Sequence, residues 1–315
     1  MRTTETTGRR GFGCRKHFRS VWPSVPFAPA RRFSRSSRDA VPLHVVARSP
    51  RRTSLVLWAA AIAAALLGMN ILPSAAAEGA APGRGGEPAA TVNVVIVTGE
   101  DYPGHKWRET APALARALQA DERLKIDVVE SPMFLAEGDL PAYRVVVLHM
   151  KNYDPNKPGP EGGKRLAQFV REGGGLVLVH FACGALQEWP EFVELAGRVW
   201  NPKLRGHDPH GRFRVEIVDR KHPITAGMAD FETTDELYTC LDGKTPVTVL
   251  ASARSKVDDR DYPIAFVLDY GKGRVFHCVL GHDLRAFEPE AVQTLFCRGT
   301  AWTAKLELKP LGRAD

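Results

Sequence analysis

The chain has 315 residues and a formal net charge of +7, and this charge is distributed unevenly along it. Residues 1 to 54 contain 13 Lys and Arg against two acidic residues, an excess of 11 positive charges that leaves −4 for residues 55 to 315. A nucleic-acid-binding surface needs a basic patch on the folded part of a protein. The negative balance outside the basic leader therefore disfavours DNA and RNA as partners.

An uncharged run at residues 53 to 77 follows the basic leader, and its apolar part covers residues 55 to 72. Basic residues, an apolar stretch and small residues before Ala77 are the features of a secretory signal that is cleaved after Ala77. About 20 apolar residues can also span a bilayer, so a retained membrane anchor stays open. We expect residues 1–77 to be an Arg-rich leader and signal peptide. This predicts an exported protein, periplasmic or extracellular, with membrane contact only through an uncleaved leader.

The rest of the chain divides into a linker, one domain and a tail. Residues 78–90 are rich in Gly, Pro and Ala, a composition typical of a linker that buries little surface. Residues 91–305 have the size of one large α/β domain, and residues 306–315 follow it as a C-terminal tail. Four of the five cysteines fall in this domain, and their irregular spacing specifies no disulfide pattern.

Short apolar runs alternate with helical patterns along the domain. The apolar runs predict strands at residues 92–97, 126–129, 144–149, 176–180, 213–218, 247–251, 264–268 and 274–279. Helical patterns predict helices at 107–120, 162–171 and 289–302. Strand, helix and strand at this rhythm indicate βαβ units, and the Gly-containing loop at 269–273 indicates a hairpin. The expected fold class is α/β, with a doubly wound, mostly parallel sheet and helices on both faces.

Histidines and a carboxylate occur where a doubly wound sheet binds its ligands, beyond the carboxyl ends of the strands. His105 follows the first predicted strand, His180 ends the fourth and His282 follows the last. Glu236 lies in a segment between them. A single histidine at a strand end is usually structural, but unrelated structural histidines have no reason to converge at one edge. We predict that these four residues line one pocket and are catalytic.

This set of side chains suits two kinds of chemistry. Neutral imidazoles with a carboxylate are suitable ligands for a divalent metal such as zinc, which polarises a carbonyl or activates water. Without a metal, the same groups serve as general acid and base, because histidine titrates near neutral pH. For Asp235 and Glu236, the alternative is that they simply cap or solvate a turn. The candidate metal ligands are His105, His180, Glu236 and His282, and the candidate substrate-binding residues are Trp107, His207, Asp235, Tyr238 and Asp283.

Cys183 offers a third kind of chemistry, because a sharp turn from strand to helix can present a nucleophilic thiol. His180, however, occupies the strand end where such a nucleophile would stand, and Cys183 comes three residues later. We therefore expect a structural or disulfide-bonded role for Cys183, and a thiol-dependent hydrolase is the least favoured alternative.

Several short motifs follow one another in a fixed order between about residues 92 and 303. They are Thr98-Gly99, His105-Lys106-Trp107, Gly173-Gly174-Gly175 before His180, Gly206-His207, His222-Pro223-Ile224, Asp235-Glu236-Leu237-Tyr238, Pro263-Ile264-Ala265 and Gly281-His282-Asp283. Together they resemble the ThuA-like (trehalose-utilisation) family. The resemblance implies a class I glutamine-amidotransferase-like, flavodoxin-like sheet in which His180 takes the position of the amidotransferase cysteine. It also implies a link to sugar metabolism, with trehalose and 3-keto-disaccharides as the usual context, and the chain departs from the family at His277, where an aromatic or aliphatic residue is expected.

The leading hypothesis is an exported carbohydrate-active enzyme, a hydrolase or an isomerase, that acts on a sugar or a 3-keto-disaccharide. The alternative is a non-catalytic sugar-binding module that uses the same pocket. Its stacking or hydrogen-bonding groups would be Trp107, Trp189, Trp200 and Tyr238. Under both hypotheses the partner is a small-molecule carbohydrate and not a nucleic acid.

Overall fold

The computed structural model describes residues 90–154, 157–186, 189–309 and 311. The expected signal peptide or membrane anchor at residues 1–77 lies outside them, and so does the expected linker apart from residue 90. Of the helices that are described, none combines the length and the apolar character needed to cross a bilayer.

Strands and helices alternate along the described residues. The strands are β1 (Val92–Val97), β2 (Leu124–Val129), β3 (Val145–Leu148), β4 (Gly175–Val179), β5 (Gly211–Ile217), β6 (Phe231–Asp235), β7 (Thr248–Arg254), β8 (Asp261–Tyr270) and β9 (Gly273–Cys278). The α-helices are α1 (Trp107–Leu118), α2 (Phe134–Glu137), α3 (Gly159–Arg171), α4 (Phe192–Ala196) and α5 (Glu290–Thr303). Short 3-10 helices cover Leu140–Ala142, His180–Gly184 and Leu284–Phe287.

Continuous runs of Val, Leu and Ile form the centre of the sheet. β3 reads VVVL and β4 reads GLVLV, and every residue of both strands is buried. Burial on both faces is typical of parallel strands that are covered by helices. α1 connects β1 to β2 and α3 connects β3 to β4, so helical crossovers join parallel strands in this half of the sheet.

The sheet is mixed, which corrects the expectation of a mostly parallel, doubly wound sheet. Its strand order is β2-β1-β3-β4-β9-β8-β7-β5-β6. The pairs from β2 to β9 are parallel, and those from β9 to β6 are antiparallel. The hairpin expected at residues 269–273 is present, with Tyr270 paired to Gly273. A connection this short reverses the chain, whereas a parallel pair needs a crossover of a dozen or more residues, so β8 extends the sheet as an antiparallel strand.

Alternate residues of the central strands face two separate apolar cores. In β1, Val94 and Ile96 pack with residues of α1 and α5, whereas Val95 and Val97 pack with residues of α2, α3 and α4. Successive side chains of a strand point to opposite faces, and here a helical layer covers each face. The polar segments that follow β1, β4 and β9 lie together at the carboxyl-terminal edge of these parallel strands.

Each strand predicted from the sequence is present, with ends displaced by no more than three residues. β6, α2 and α4 were not predicted, because each is five residues or shorter and carries no long apolar run. The described part of the expected C-terminal tail lies against the domain. Leu306 and Leu308 pack on the core, and the carbonyl of Lys309 accepts a hydrogen bond from Arg298.

Candidate functional site

Four side chains from different segments meet beyond the carboxyl ends of the parallel strands. His105 lies in the loop after β1, His180 directly follows β4, Glu236 directly follows β6, and His282 lies in the loop after β9. One potential ligand atom from each of these residues lies within 4.8 Å of the other three. We call these four residues the His/Glu cluster.

His180 stands at a sharp turn. Its φ of 47° lies in the left-handed region that non-glycine residues rarely adopt, and such strain often marks a functional position. The imidazole is fully buried, and Nδ1 donates to the carbonyl of Val279 at 2.8 Å. In the neutral ring this bond leaves the lone pair on Nε2, which lies 3.7 Å from Glu236 Oε2. The backbone of the next strand end therefore fixes both the orientation and the tautomer of this ring.

The Tyr238 hydroxyl is a second partner of His180, at 3.1 Å from Nε2. Because Nδ1 carries the ring proton, the tyrosine donates this bond. Tyr238 is 3% exposed, and burial, with neighbouring acidic groups, raises its pKa well above the usual value. Any ligand that takes the Nε2 lone pair would have to displace this hydrogen bond.

His105 is held by aromatic neighbours that the sequence did not single out. Its ring stacks on Phe181 with centroids 4.4 Å apart, and its Nδ1 lies 3.4 Å from the Tyr153 hydroxyl. Burial lowers the pKa of His105 to about 2, and His180 and His282 add to the effect. The ring is therefore neutral. Phe181 follows His180 directly, and Tyr153 lies in the segment after β3. Their positions after strand ends are the sequence feature that could have identified them as neighbours of the site.

Glu236 is the anionic centre of the cluster. Its Oε2 lies 3.2 Å from His282 Nδ1, and its Oε1 lies 3.7 Å from His207 Nε2. Burial alone would raise the pKa of Glu236, but the neighbouring rings of His180 and His282 outweigh it and hold that pKa below its usual range. Burial would likewise lower the pKa of His282, and the neighbouring Glu236 carboxylate raises it instead. Glu236 is thus ionised, and it favours a proton on His282 that a bound metal ion would have to replace.

Asp235, which was expected to bind substrate, is fully buried beneath the cluster. Its Oδ1 accepts hydrogen bonds from the backbone N–H groups of Glu236 at 2.7 Å and His282 at 3.2 Å. Its Oδ2 accepts one from Gly281 at 2.7 Å. These contacts occupy the carboxylate with the protein backbone.

The other residues expected to bind substrate differ in accessibility. Trp107 is 4% exposed at the start of α1, and its indole N–H donates to Asp101 at 2.8 Å. His207 has a side chain that is 36% exposed at the edge of the cluster. Asp283 caps the 3-10 helix that follows it and binds both the backbone and the guanidinium of Arg285. His207 is therefore the most accessible polar group beside the cluster among these three.

His149 lies at the same edge of the sheet but outside the cluster. Its two ring nitrogens bond to the hydroxyls of Thr98 at 3.0 Å and Thr110 at 3.1 Å. Burial lowers its pKa to about 3. This histidine is a satisfied core residue.

Cys183 is a fully buried free thiol. Burial raises its pKa to about 12, so the nucleophilic thiolate is strongly disfavoured. Its backbone carbonyl accepts a hydrogen bond from the Trp200 N–H. This bond holds the backbone of the turn and does not involve the sulfur atom. The geometry does not favour thiol chemistry.

The donor set fits a divalent metal ion. Among the described residues, His105 Nε2 and His282 Nδ1 are buried ring nitrogens that make no hydrogen bond, although the latter lies 3.2 Å from a Glu236 oxygen. Buried polar atoms are rarely left without a partner. Zinc bonds of about 2.1 Å in a tetrahedral site place donors roughly 3.4 Å apart. The observed limit of 4.8 Å is wider, so side-chain movements would be needed to bring the four donors to bonding distance.

Two cavities adjoin the cluster, and a larger one does not include it. A cavity of about 430 Å³ is lined by His105 and its neighbours, and another of about 440 Å³ is lined by His282 and its neighbours. A cavity of about 680 Å³ is lined by Trp189 and Trp200, among others, but by no member of the cluster. The cluster is the candidate site, because its convergent polar groups distinguish it from the larger cavity.

The family described as "ThuA: Trehalose utilisation" matches residues 93–303 of this chain. No functionally curated protein shows significant sequence similarity to it. The matched range begins in β1, ends in α5 and includes the whole His/Glu cluster.

Solved structures with the same fold include proteins described as ThuA-like. One from Parabacteroides merdae has 25% identity and a TM-score of 0.63, over 71% of this chain and 94% of that one. Another, from Bacteroides uniformis, has 21% identity and a TM-score of 0.55, over 69% of this chain and 93% of that one. A glutamine amidotransferase from Thermotoga maritima is more distant, with 14% identity and a TM-score of 0.43 over 68% of this chain and 98% of that one.

Proposed function

This chain belongs to the ThuA (trehalose utilisation) family, and from that premise we propose that it is an enzyme that acts on a sugar or a 3-keto-disaccharide. The reaction is a hydrolysis or an isomerisation. Family membership supports a trehalose-utilisation type of function, and the His/Glu cluster supplies the chemistry. The cluster lies where α/β sheets bind their ligands, at the carboxyl-terminal edge of the parallel strands.

The observation that supports this proposal is the convergence of three imidazoles and one carboxylate, with the buried Nε2 of His105 left without a hydrogen-bond partner among the described residues. His105 is kept neutral, as a metal ligand must be. A carboxylate whose pKa is held low, such as Glu236, is a weak base but a good anionic ligand. These properties favour a metal site over a metal-free acid–base pair.

The residues that would hold the metal are His105, His180, Glu236 and His282. A bound divalent ion such as zinc would polarise the carbonyl of a keto sugar or lower the pKa of a water molecule. His180 is oriented for this role by the carbonyl of Val279. His207, partly exposed and 3.7 Å from Glu236, is placed to bind a sugar hydroxyl or to exchange a proton with it.

Zinc content and turnover together test this proposal. Purified protein should bind about one zinc per chain after chelator treatment and reloading, and it should convert a 3-keto-disaccharide. His180→Gln and Glu236→Gln should lose both properties with little change in melting temperature, because these residues contribute little to the apolar core. His210→Gln is a matched control: its ring lies 5.3 Å from that of His282 but outside the cluster.

Other outcomes would favour other functions. Turnover that survives removal of all metal would favour general acid–base catalysis by the same residues. Sugar binding without turnover would favour the non-catalytic module, for which the specific observation is the cavity of about 680 Å³ lined by Trp189 and Trp200. Turnover that is unchanged in His180→Gln and Glu236→Gln would contradict the proposal.

A further inference from the structure

We propose that Asp235 is a positioning residue: its buried carboxylate holds three members of the His/Glu cluster in place and itself contacts neither substrate nor metal. The zinc measurement in its test rests on the proposed function, whereas the measurement on metal-free protein does not.

The contacts of Asp235 link three separate segments of the chain. The residue ends β6, and its carboxylate accepts the N–H groups of Glu236, Gly281 and His282 at distances of 2.7, 2.7 and 3.2 Å. Its Oδ1 also lies 3.9 Å from His180 Nδ1. One side chain therefore touches the backbone of two cluster members and the ring of a third.

The turn after β9 depends on this carboxylate. Gly281 has a φ of 125°, and a Cβ at this position would lie 3.2 Å from Val179 Cγ1 and 3.5 Å from His180 Cβ. A glycine is favoured here because other residues rarely adopt this positive φ, and the turn also packs closely on the strand end that carries His180. The two successive N–H groups of Gly281 and His282 both donate to the Asp235 carboxylate, and loss of an acceptor for a buried donor is costly.

Substitution by Asn tests the role with almost no change in volume. An amide has only one oxygen, so its NH₂ group must face at least one of the three backbone N–H groups. This opposition should displace the backbone that carries Glu236 and His282. Second-layer groups that orient metal ligands typically change affinity by about 10- to 100-fold when removed, and we expect Asp235→Asn to weaken zinc binding by that factor.

Asp208→Asn is the matched control. Asp208 is also a buried aspartate, 6% exposed, and it accepts hydrogen bonds from the Ser255 hydroxyl and the Lys256 N–H, both at 2.9 Å. Its carboxylate makes none of the contacts of the cluster. A similar loss of melting temperature is expected in both variants, but the zinc affinity of Asp208→Asn should stay within about twofold of wild type, since no ligand moves.

The experiment has two readouts on wild type, Asp235→Asn and Asp208→Asn. The first is zinc affinity by chelator competition, and the second is the imidazole ¹⁵N spectrum of metal-free protein, assigned through His180→Gln and His282→Gln. Only Asp235→Asn should weaken zinc and move the His180 and His282 signals. Equal behaviour of the two aspartate variants would overturn the inference. If wild type binds no zinc, the metal site of the proposed function fails, and the imidazole signals alone decide the role of Asp235.

Discussion

Cys183 lies three residues beyond His180, yet its thiol is fully buried and its pKa is raised to about 12 by burial. We expect Cys183→Ala to keep near-normal turnover, because a thiol this strongly protonated is no nucleophile. Loss of the sulfur atom should cost about 1 kcal/mol of stability through the small cavity that remains. Turnover and melting temperature measured together check this. Loss of turnover at an unchanged melting temperature, with His180→Gln still active, would restore the thiol mechanism.

His277, where an aromatic or aliphatic residue was expected, is fully buried in β9. Its Nδ1 donates to the carbonyl of Ala196 at 3.0 Å, and burial lowers its pKa to about 4, against an unperturbed value of 6.5. Between these pH values the unfolded chain binds a proton that the folded chain does not, so stability falls as the pH drops from 6.5 towards 4. At about 1.4 kcal/mol per pKa unit, the loss is about 3 kcal/mol.

His277→Phe should remove this loss. The variant leaves the Ala196 carbonyl without its partner, a cost that does not depend on pH. Urea unfolding at several pH values from 7 to 4 should give a shallower decrease in the free energy of unfolding for the variant than for wild type. Parallel curves would show that His277 does not titrate as its burial implies.

The positions of the cluster residues could be predicted from the sequence, but their supporting contacts could not. His105, His180 and His282 each follow an apolar run, and strand ends converge in any such sheet. The structure brings them together with Glu236, while their catalytic role stays a prediction. Asp235 looked like a substrate ligand because a sequence does not show that three backbone N–H groups from two segments surround it.

β4 is the element that connects the core to the site, because it is buried along its whole length and ends at His180. Val177→Asp should unfold the domain. The residue is 0% exposed, and an unpaired buried charge costs several kcal/mol, which is comparable to the whole stability of a domain. Circular dichroism and the melting temperature measure the effect.

Val218→Asp is the control for this prediction. Val218 follows β5 and is 56% exposed, so a carboxylate there stays in water. It should change the free energy of unfolding by less than about 0.5 kcal/mol. If both variants fold equally well, β4 is not the buried central strand described above.

Among the elements, long apolar strands were predicted and short polar ones were not. β6 reads FETTD, with a single apolar residue, and its place in the sheet comes from pairing with β5. Such a strand carries no periodic signal of its own, because its stability depends on a neighbour that is distant in sequence. Asp235 ends β6. The strand and the contacts of Asp235 were both missed because both depend on segments that are distant in sequence.

At the scale of the whole molecule, local patterns predicted the crossovers but not the balance of parallel and antiparallel strands. The βαβ rhythm of β1 to β4 gave the parallel half, and the hairpin after β8 was also predicted. Local patterns did not predict that β9 lies between β4 and β8 in the sheet. That placement is a choice among long-range pairings, which the runs of residues 264–268 and 274–279 do not specify.

Export stays a prediction. It affects the whole molecule, because cleavage of the leader would change the net charge from positive to negative. The leader and the apolar run at residues 53 to 77 should direct secretion, so the mature protein should begin near Glu78. Residues 53 to 77 are uncharged, so the mature chain carries the net charge of −4 of residues 55 to 315. Its isoelectric point should therefore fall from about 9.2 for the full chain to below neutral.

Intact-mass spectrometry and isoelectric focusing of the protein from its native cells measure both consequences of cleavage. We expect a soluble, acidic species that starts near Glu78 in a non-cytoplasmic fraction. A membrane-bound species that keeps residues 53 to 77 would favour the anchor, because an uncleaved apolar run of this length can hold the chain in a bilayer. A soluble cytoplasmic protein that retains Met1 would contradict export altogether, and the substrate would then have to be a sugar available inside the cell.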